Sequence, residues 1–159
     1  MAEAGEEPQT IPFGIDMTHF IGLDPGISGG YALLSPDGAF AYDTPSLQTE
    51  KRKFHDVKAM WLWLKHLPQE GACFAVLESV HAMPMNGSIG NFQLGKSAGL
   101  WEALLVAAGI PFELVAPQTW KKAMLADGGK DKAASLVKAR QLFPSVDLHR
   151  KKDDGKAEA

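Results

Sequence analysis

Four carboxylates stand where carboxylates are costly to keep. Asp24 follows the apolar run "FIGL" and precedes the glycine-rich "PGISGG", and Glu78 ends the near-continuous apolar run "CFAVLE". Asp154 and Glu158 lie four apart in "DDGKAEA", a spacing that puts both on one face of a helix. Like charges at that spacing disfavour an isolated helix, so the pair asks for a compensating cation. Carboxylates converging in a cleft repel one another unless a proton or a metal ion joins them. Hard oxygen donors with few or no His suit Mg²⁺, with Mn²⁺ as a substitute, rather than zinc. Two such ions about 4 Å apart can stabilise both the attacking water and the leaving oxygen of a phosphodiester. Taken singly, each carboxylate also has an ordinary reading. Asp-Pro-Gly is a common turn, a Glu at a strand end is often a solvated rim residue, and acids near a helix start often serve the dipole. The combination in one chain is what points to a metal site.

The elements that must hold these groups follow from periodicity. Apolar and alternating runs predict strands over 19–24, 30–35 and 39–43, joined as an antiparallel meander with "SPDG" as the second turn. A helix is predicted over 54–67, with Val57, Met60, Trp61, Leu64 and Leu67 as its core stripe. The run 73–78 predicts a strand buried on both faces, followed by a Met-, Pro-, Asn- and Gly-rich loop over 80–91. Then come a helix over 92–108, a strand over 111–117, a short helix on "QTWKKAML", an amphipathic helix over 131–143 and a helix starting near Asp153. The order predicts an α/β domain with a mixed five-stranded sheet, an antiparallel meander followed by parallel strands, flanked by helices. The strands ending in Asp24 and Glu78 would lie side by side and deliver both acids to one crevice. Gly26, Gly29 and Gly30 would bend the first turn without steric cost. A phosphate cradle there would need a helix behind it, and a strand follows instead.

Composition narrows the class. With 159 residues, 45% apolar and 22% charged, the chain has the size and content of one globular domain. No apolar run approaches the roughly 18 residues of a membrane span, so no membrane partner is expected. The acidic opening "MAEAGEEPQT" resembles neither a secretory signal nor a transit peptide, and residues 1–18 are expected to be a flexible acidic segment before a domain at 19–159. The single cysteine, Cys73, sits in an apolar run and reads as core; one thiol excludes an internal disulfide. The net charge of −3 hides an uneven distribution. Ten Lys/Arg against five Asp fall between Pro117 and Lys156, which leaves the remainder at −8. A basic C-terminal third suits a polyanion, although solvated helix faces would carry charge as well. Two divalent ions would turn −3 into +1.

The motifs "GLDPGISGGYALL", "VLESVHAMP…NFQLGKSAGLWEALL", "ELVAPQTWKKAML" and "DDGKAEA" resemble the RuvC-like Holliday junction resolvases of the RNase H-like superfamily. The last looks closest to the branch of chloroplast resolvases and their phage and bacterial relatives. The resemblance spans roughly 19–159 and implies an RNase H-like fold and a homodimer that nicks a four-way DNA junction symmetrically. It implies that Asp24, Glu78, Asp154 and Glu158 are the catalytic and metal-binding acids, with Asp153 a neighbour. It further implies a lysine near Lys130, or Lys132, approaching the active site. The loop at His81–Asn91, with His81, Met83, Met85 and Asn86, and the neighbouring Phe92, would enter the junction, and its apolar side chains suit wedging between base steps. Lys121, Lys122 and Lys132 would meet phosphates. The helix bearing Gly95 and Gly99 would form the dimer contact. Relatives continue past the position of Ala159, so the last helix is expected to be truncated, with weaker docking of Asp154 and Glu158.

Three competing readings accompany this one. An actin-like or sugar-kinase ATPase also opens with Asp-x-Gly before a hairpin, but needs two lobes. A non-catalytic junction-binding module would share the fold, and an RNase H-like nuclease could act on another nucleic acid. The expected compartment is the cytoplasm of a prokaryotic or phage-infected cell, or a plastid in a photosynthetic eukaryote.

Overall fold

A computed structural model describes residues 19–67, 73–125 and 132–159. The meander forms as its alternation requires: β1 (His19–Leu23), β2 (Gly30–Ser35) and β3 (Gly38–Asp43) pair antiparallel in sequence. β1 also pairs in parallel with the later β6 (Cys73–Glu78), in a register that sets Leu23 beside Leu77. β6 pairs in parallel with β7 (Phe112–Val115), which gives a five-stranded sheet in the order β3-β2-β1-β6-β7. The predicted mixed sheet, and the adjacency of the strands that lead to Asp24 and Glu78, are therefore observed.

The strand alternation assigns the two faces. Ile21, Leu23, Tyr31, Ala75 and Leu77 face the main core, where α1 (Val57–Lys65) and α2 (Gly87–Ala108) cover them. Trp101 of α2 is fully buried there with Met60 and Leu64 of α1, and truncating such a tryptophan to alanine costs about 3–5 kcal/mol. Cys73 is buried in this core as read from the sequence. The opposite face carries α3 (Pro117–Met124), α4 (Lys132–Leu142) and the five-residue α5 (Asp154–Glu158), whose second small core joins Leu136, Ala139 and Leu148. α5 lies against β2 and β3.

Three expectations are corrected. Residues 46–55 form a two-stranded hairpin, β4 (Ser46–Gln48) and β5 (Lys53–His55), which took the start of the predicted helix. Asp56 then caps α1, its carboxylate accepting from the Ala59 N–H at 3.0 Å. Within the stripe, Met60, Leu64 and Leu67 are buried but Val57 is exposed, and Trp63 rather than Trp61 packs on the core, edge-on to Tyr31 at 4.4 Å. Finally, the loop after Glu78 is shorter than predicted. A 3₁₀ turn at Pro84–Asn86 leads to Gly87, whose φ of 64° turns the chain into α2 five residues before Phe92. "GSIGN" lacks an apolar stripe and helix formers, so local propensity hid a turn of helix that the following packed segment carries.

Candidate active site

The two strand-borne acids arrive by different geometries. Glu78 is the last residue of β6 and shares the parity of Val76, so it faces the α3–α5 side. Its Oε2 accepts a hydrogen bond from the Trp120 indole N–H at 2.8 Å, which ties β6 to α3. Asp24 lies one residue past β1, where its N–H donates to the Gly30 carbonyl at 3.0 Å and its Oδ1 accepts from the Gly26 N–H at 3.3 Å.

The glycines of this turn are required for a reason other than the one inferred from sequence. Among the described residues the positive-φ glycines are Gly38, Gly87 and Gly109, none of them in the turn. Close approach is what excludes side chains. A Cβ on Gly30 would sit 2.7 Å from the backbone of Gly155 and Lys156, and one on Gly155 would sit 2.7 Å from Gly29. A Cβ on Gly29 would meet the Asp24 carboxyl carbon at 2.9 Å. Gly155, the glycine inside "DDGKAEA", therefore lets α5 lie backbone to backbone on the turn that bears Asp24.

α5 is too short to hold itself as a helix, and ion pairs fix it at both ends. Asp153 is wholly buried at its N-terminus, bonded to the Arg150 Nε at 2.7 Å and N–H at 2.8 Å and paired with Lys156 at 3.2 Å. Burial pushes the Asp153 carboxyl up, but these hydrogen bonds and the Lys156 charge outweigh it and hold the group at about 2. Arg150 also reaches Asp43 of β3 at 2.7 Å. At the other end Glu158 accepts from Ser135 at 3.1 Å and pairs with Lys121 at 3.2 Å. Asp154 pairs with Lys132.

The four acids share one electrostatic neighbourhood. Burial first, and then the charges of Glu78 and Glu158, raise the Asp24 carboxyl to about 6 against the opposing Gly26 N–H and Lys132. Burial likewise pushes Glu78 up, with Glu158 adding to it and Trp120 and Lys121 opposing. The hydrogen bond and charge of Asp154, with the fields of Glu158 and Asp24, raise the Lys132 ammonium against its partial burial. Four carboxylates against two lysines leave a formal excess of negative charge. That excess and the all-oxygen donor set fit a hard divalent cation. The side chains are nonetheless not drawn together: among the described residues no three His, Cys, Asp or Glu are grouped closely enough to hold a metal ion. Asp24, Lys132 and Asp154 line a cleft of about 430 Å³ that runs to Gln93 and Ser97 of α2. Glu78 and Glu158 line the adjoining groove with Trp120.

The remaining predicted residues divide into those beside the cleft and those away from it. Lys132 is in the site, whereas Lys130 lies outside the described residues. Lys121 points inward, pairing with Glu158 and resting 5.0 Å over the Trp120 ring, while Lys122 is exposed. His81, Met83, Met85, Asn86 and Phe92 are all exposed, with Met85 at 96% and Phe92 at 68%. Phe92 thus does not pack beneath the loop. Asn86 borders the cleft. Sequence reasoning missed Asn91, whose side-chain amide bonds both the N–H and the carbonyl of Met83 at 3.0 Å and clamps the loop. It also missed Ser135, Arg150 and Gly155, and it named Asp153 only as a neighbour of the acidic pair. For Gly155 a signal was present, a glycine between two acids of a short helix.

No protein-family model matches the chain. Over 90 residues, 55% of the chain, it is 33% identical to the chloroplastic Holliday junction resolvase MOC1 of Chlamydomonas reinhardtii. The matched stretch spans only 10% of that relative's length. The fold is that of Thermus thermophilus RuvC, with a TM-score of 0.53 and 15% identity over 88% of this chain and 91% of that one. The T. thermophilus RuvC structure in complex with a Holliday junction substrate gives a TM-score of 0.52 at 16% identity, over 89% and 91%. The RNase H-like architecture and the RuvC-like resemblance read from the motifs are thereby borne out.

Proposed function

We propose that the chain is a divalent-metal-dependent endonuclease that resolves four-way DNA junctions by paired nicks. One observation carries the reading: on a RuvC-type fold, Asp24, Glu78, Asp154 and Glu158 come from three separate elements to two adjoining clefts that share an excess of negative charge. The four acids would hold the metal, and Mg²⁺ bound there would supply an activated water and charge stabilisation for the leaving oxygen. Lys132 and Lys121 pair with the α5 acids, and parting from them would free Asp154 and Glu158 to serve as ligands. Lys132, freed from Asp154, is then placed at the cleft to meet the scissile phosphate, the role assigned from sequence to Lys130 or Lys132. Trp120 keeps the Glu78 carboxylate oriented, and Ser135 does the same for Glu158.

The exposed loop residues Met83 and Met85, with His81 and Asn86 beside them, form the junction-entering edge, clamped by Asn91. Lys122 adds a phosphate contact. A homodimer is supported by the exposed stripe of Phe92, Gly95, Gly99 and Val106 on α2, where Cβ-free glycines leave an open surface. The setting would be the cytoplasm of a prokaryotic or phage-infected cell or, as the relative's chloroplastic name supports, a plastid; among the described residues no helix is long and apolar enough to cross a membrane.

A labelled synthetic four-way junction, a linear duplex and an RNA–DNA hybrid, each incubated with the protein and Mg²⁺, test the proposal. Paired symmetric nicks on the junction alone are expected. Cleavage of the hybrid instead would reassign the substrate. A second reading, junction binding without catalysis, is favoured by the separation of the acids and predicts a stable complex with no nicks in Mg²⁺ or Mn²⁺.

A further inference from the structure

The basic charge visible in the sequence lies in the C-terminal third, but the fold puts a second basic group beside the cleft, on the β4–β5 hairpin. Its tip is closed by three hydrogen bonds. The Thr49 N–H and hydroxyl each donate to the Arg52 carbonyl at 2.9 Å, and the Arg52 N–H donates back to the hydroxyl at 3.2 Å. Lys51, Arg52 and Lys53 are all exposed on this closed turn, with Glu50 the one acid among residues 49–55.

Strand alternation puts Lys53 and His55 on one face of the hairpin and Phe54 on the other. The first face meets the cleft. Lys53 Nζ donates to the Ile27 carbonyl at 3.4 Å, and His55 Nε2 lies 2.6 Å from the buried Ser97 hydroxyl. Ile27 and Ser97 both line the cleft that holds Asp24 and Asp154. The base of the hairpin is tied to the same turn, where the Thr44 N–H donates to the Gly29 carbonyl at 3.1 Å. The His55 imidazole is held below its ordinary value by burial and then by the charges of Lys96 and Lys53, which registers a positive field at this lip.

A solvated hairpin tip would need neither the anchoring to the active-site turn nor the run of three cations. Resting on the reading that the substrate is DNA, we propose that the β4–β5 hairpin is a second backbone-contact surface: Lys51, Arg52 and Lys53 receive the phosphates of a duplex arm as it leaves the cleft. Contacts of this kind fix register on the duplex and carry no sequence information. They also release counterions, so they are read in the salt dependence of binding.

The test measures the dissociation constant for a synthetic four-way junction between roughly 50 and 200 mM salt. It compares the full chain, the Lys51→Gln/Arg52→Gln/Lys53→Gln variant, and a charge-preserving Lys51→Arg/Arg52→Lys/Lys53→Arg variant. The neutral variant is expected to flatten the log–log salt slope by about 2–3 and to weaken binding by about 10–100-fold at the lower salt. The charge-preserving variant should restore both, which a merely structural hairpin at altered positions would not do. An unchanged slope and affinity in the neutral variant, with the unaltered protein binding junctions, overturns the hairpin assignment alone. Absence of binding by the unaltered protein overturns the nuclease reading and the hairpin assignment together.

Discussion

The two halves of the acidic site are built in opposite ways. Asp24 and Glu78 are delivered by adjacent parallel strands whose register is set by a large core, and their nearest donors are neutral N–H groups of Gly26 and Trp120. Asp154 and Glu158 are delivered by a five-residue helix, and each has a lysine partner. The strand half is rigid and under-neutralised, so burial and mutual repulsion raise its carboxyls. The helix half is neutralised but depends for position on a glycine contact and on the buried Asp153. The contrast teaches that, on the proposed reading, the strands set where a cation would go, whereas Asp154 and Glu158 of α5 would have to leave their lysine partners to reach it.

Removing a strand-borne acid should therefore have the largest effect. Asp24→Asn or Glu78→Gln is expected to lower junction cleavage by more than about 10³-fold, while gel-shift affinity for the junction persists. Full cleavage by either variant would dissolve the distinction between the halves. Next in size is the glycine contact. Gly155→Ala places a methyl group where Gly29 lies 2.7 Å away, and a displacement near 1 Å can cost about 10²-fold in rate. A cleavage assay at saturating Mg²⁺ beside a melting curve separates misplacement from unfolding.

The support of α5 should show itself mainly as stability. Asp153→Asn leaves Lys156 and Arg150 without their buried anion, a loss of about 3 kcal/mol, read from urea unfolding. The smallest effect is in pH. Asp24 sits near 6 when folded against 3.8 as its ordinary value, so the folded state holds a proton that the unfolded chain gives up. Stability from this group is thus present below about pH 4 and lost as pH rises to about 6. In chelator, the Tm of the unaltered protein should fall relative to that of Asp24→Asn across this window, and Mg²⁺ should close the difference.

How much of this was legible depended on whether a residue's environment was local. β2 and β6 were read to their observed limits because "GYALLS" and "CFAVLE" are compact, largely apolar runs bounded by turn or loop residues, and the adjacency of β1 and β6 followed from the order of elements. The β4–β5 hairpin was not legible, since its three-residue strands carry Lys, Gln and Ser and its closure rests on the Thr49 side chain. The start of α2 was hidden by two glycines in "GSIGN". Asp24 and Glu78 stood out as charges after apolar runs, and Asp154 and Glu158 by their spacing of four. Their supports did not: Arg150, the partner of Asp153, also reaches Asp43 across 107 positions, a contact no local pattern encodes. Gly155 reads as a helix breaker in sequence and acts as the point of closest packing.

The central claim, that both halves form one cation site, is tested most directly by titrating Mn²⁺ into the metal-free protein and following the free ion by its electron paramagnetic resonance signal. Unaltered protein should bind Mn²⁺, with binding lost in Glu78→Gln and weakened in Glu158→Gln. Equal Mn²⁺ affinity in all three proteins would contradict a site shared between the strands and α5.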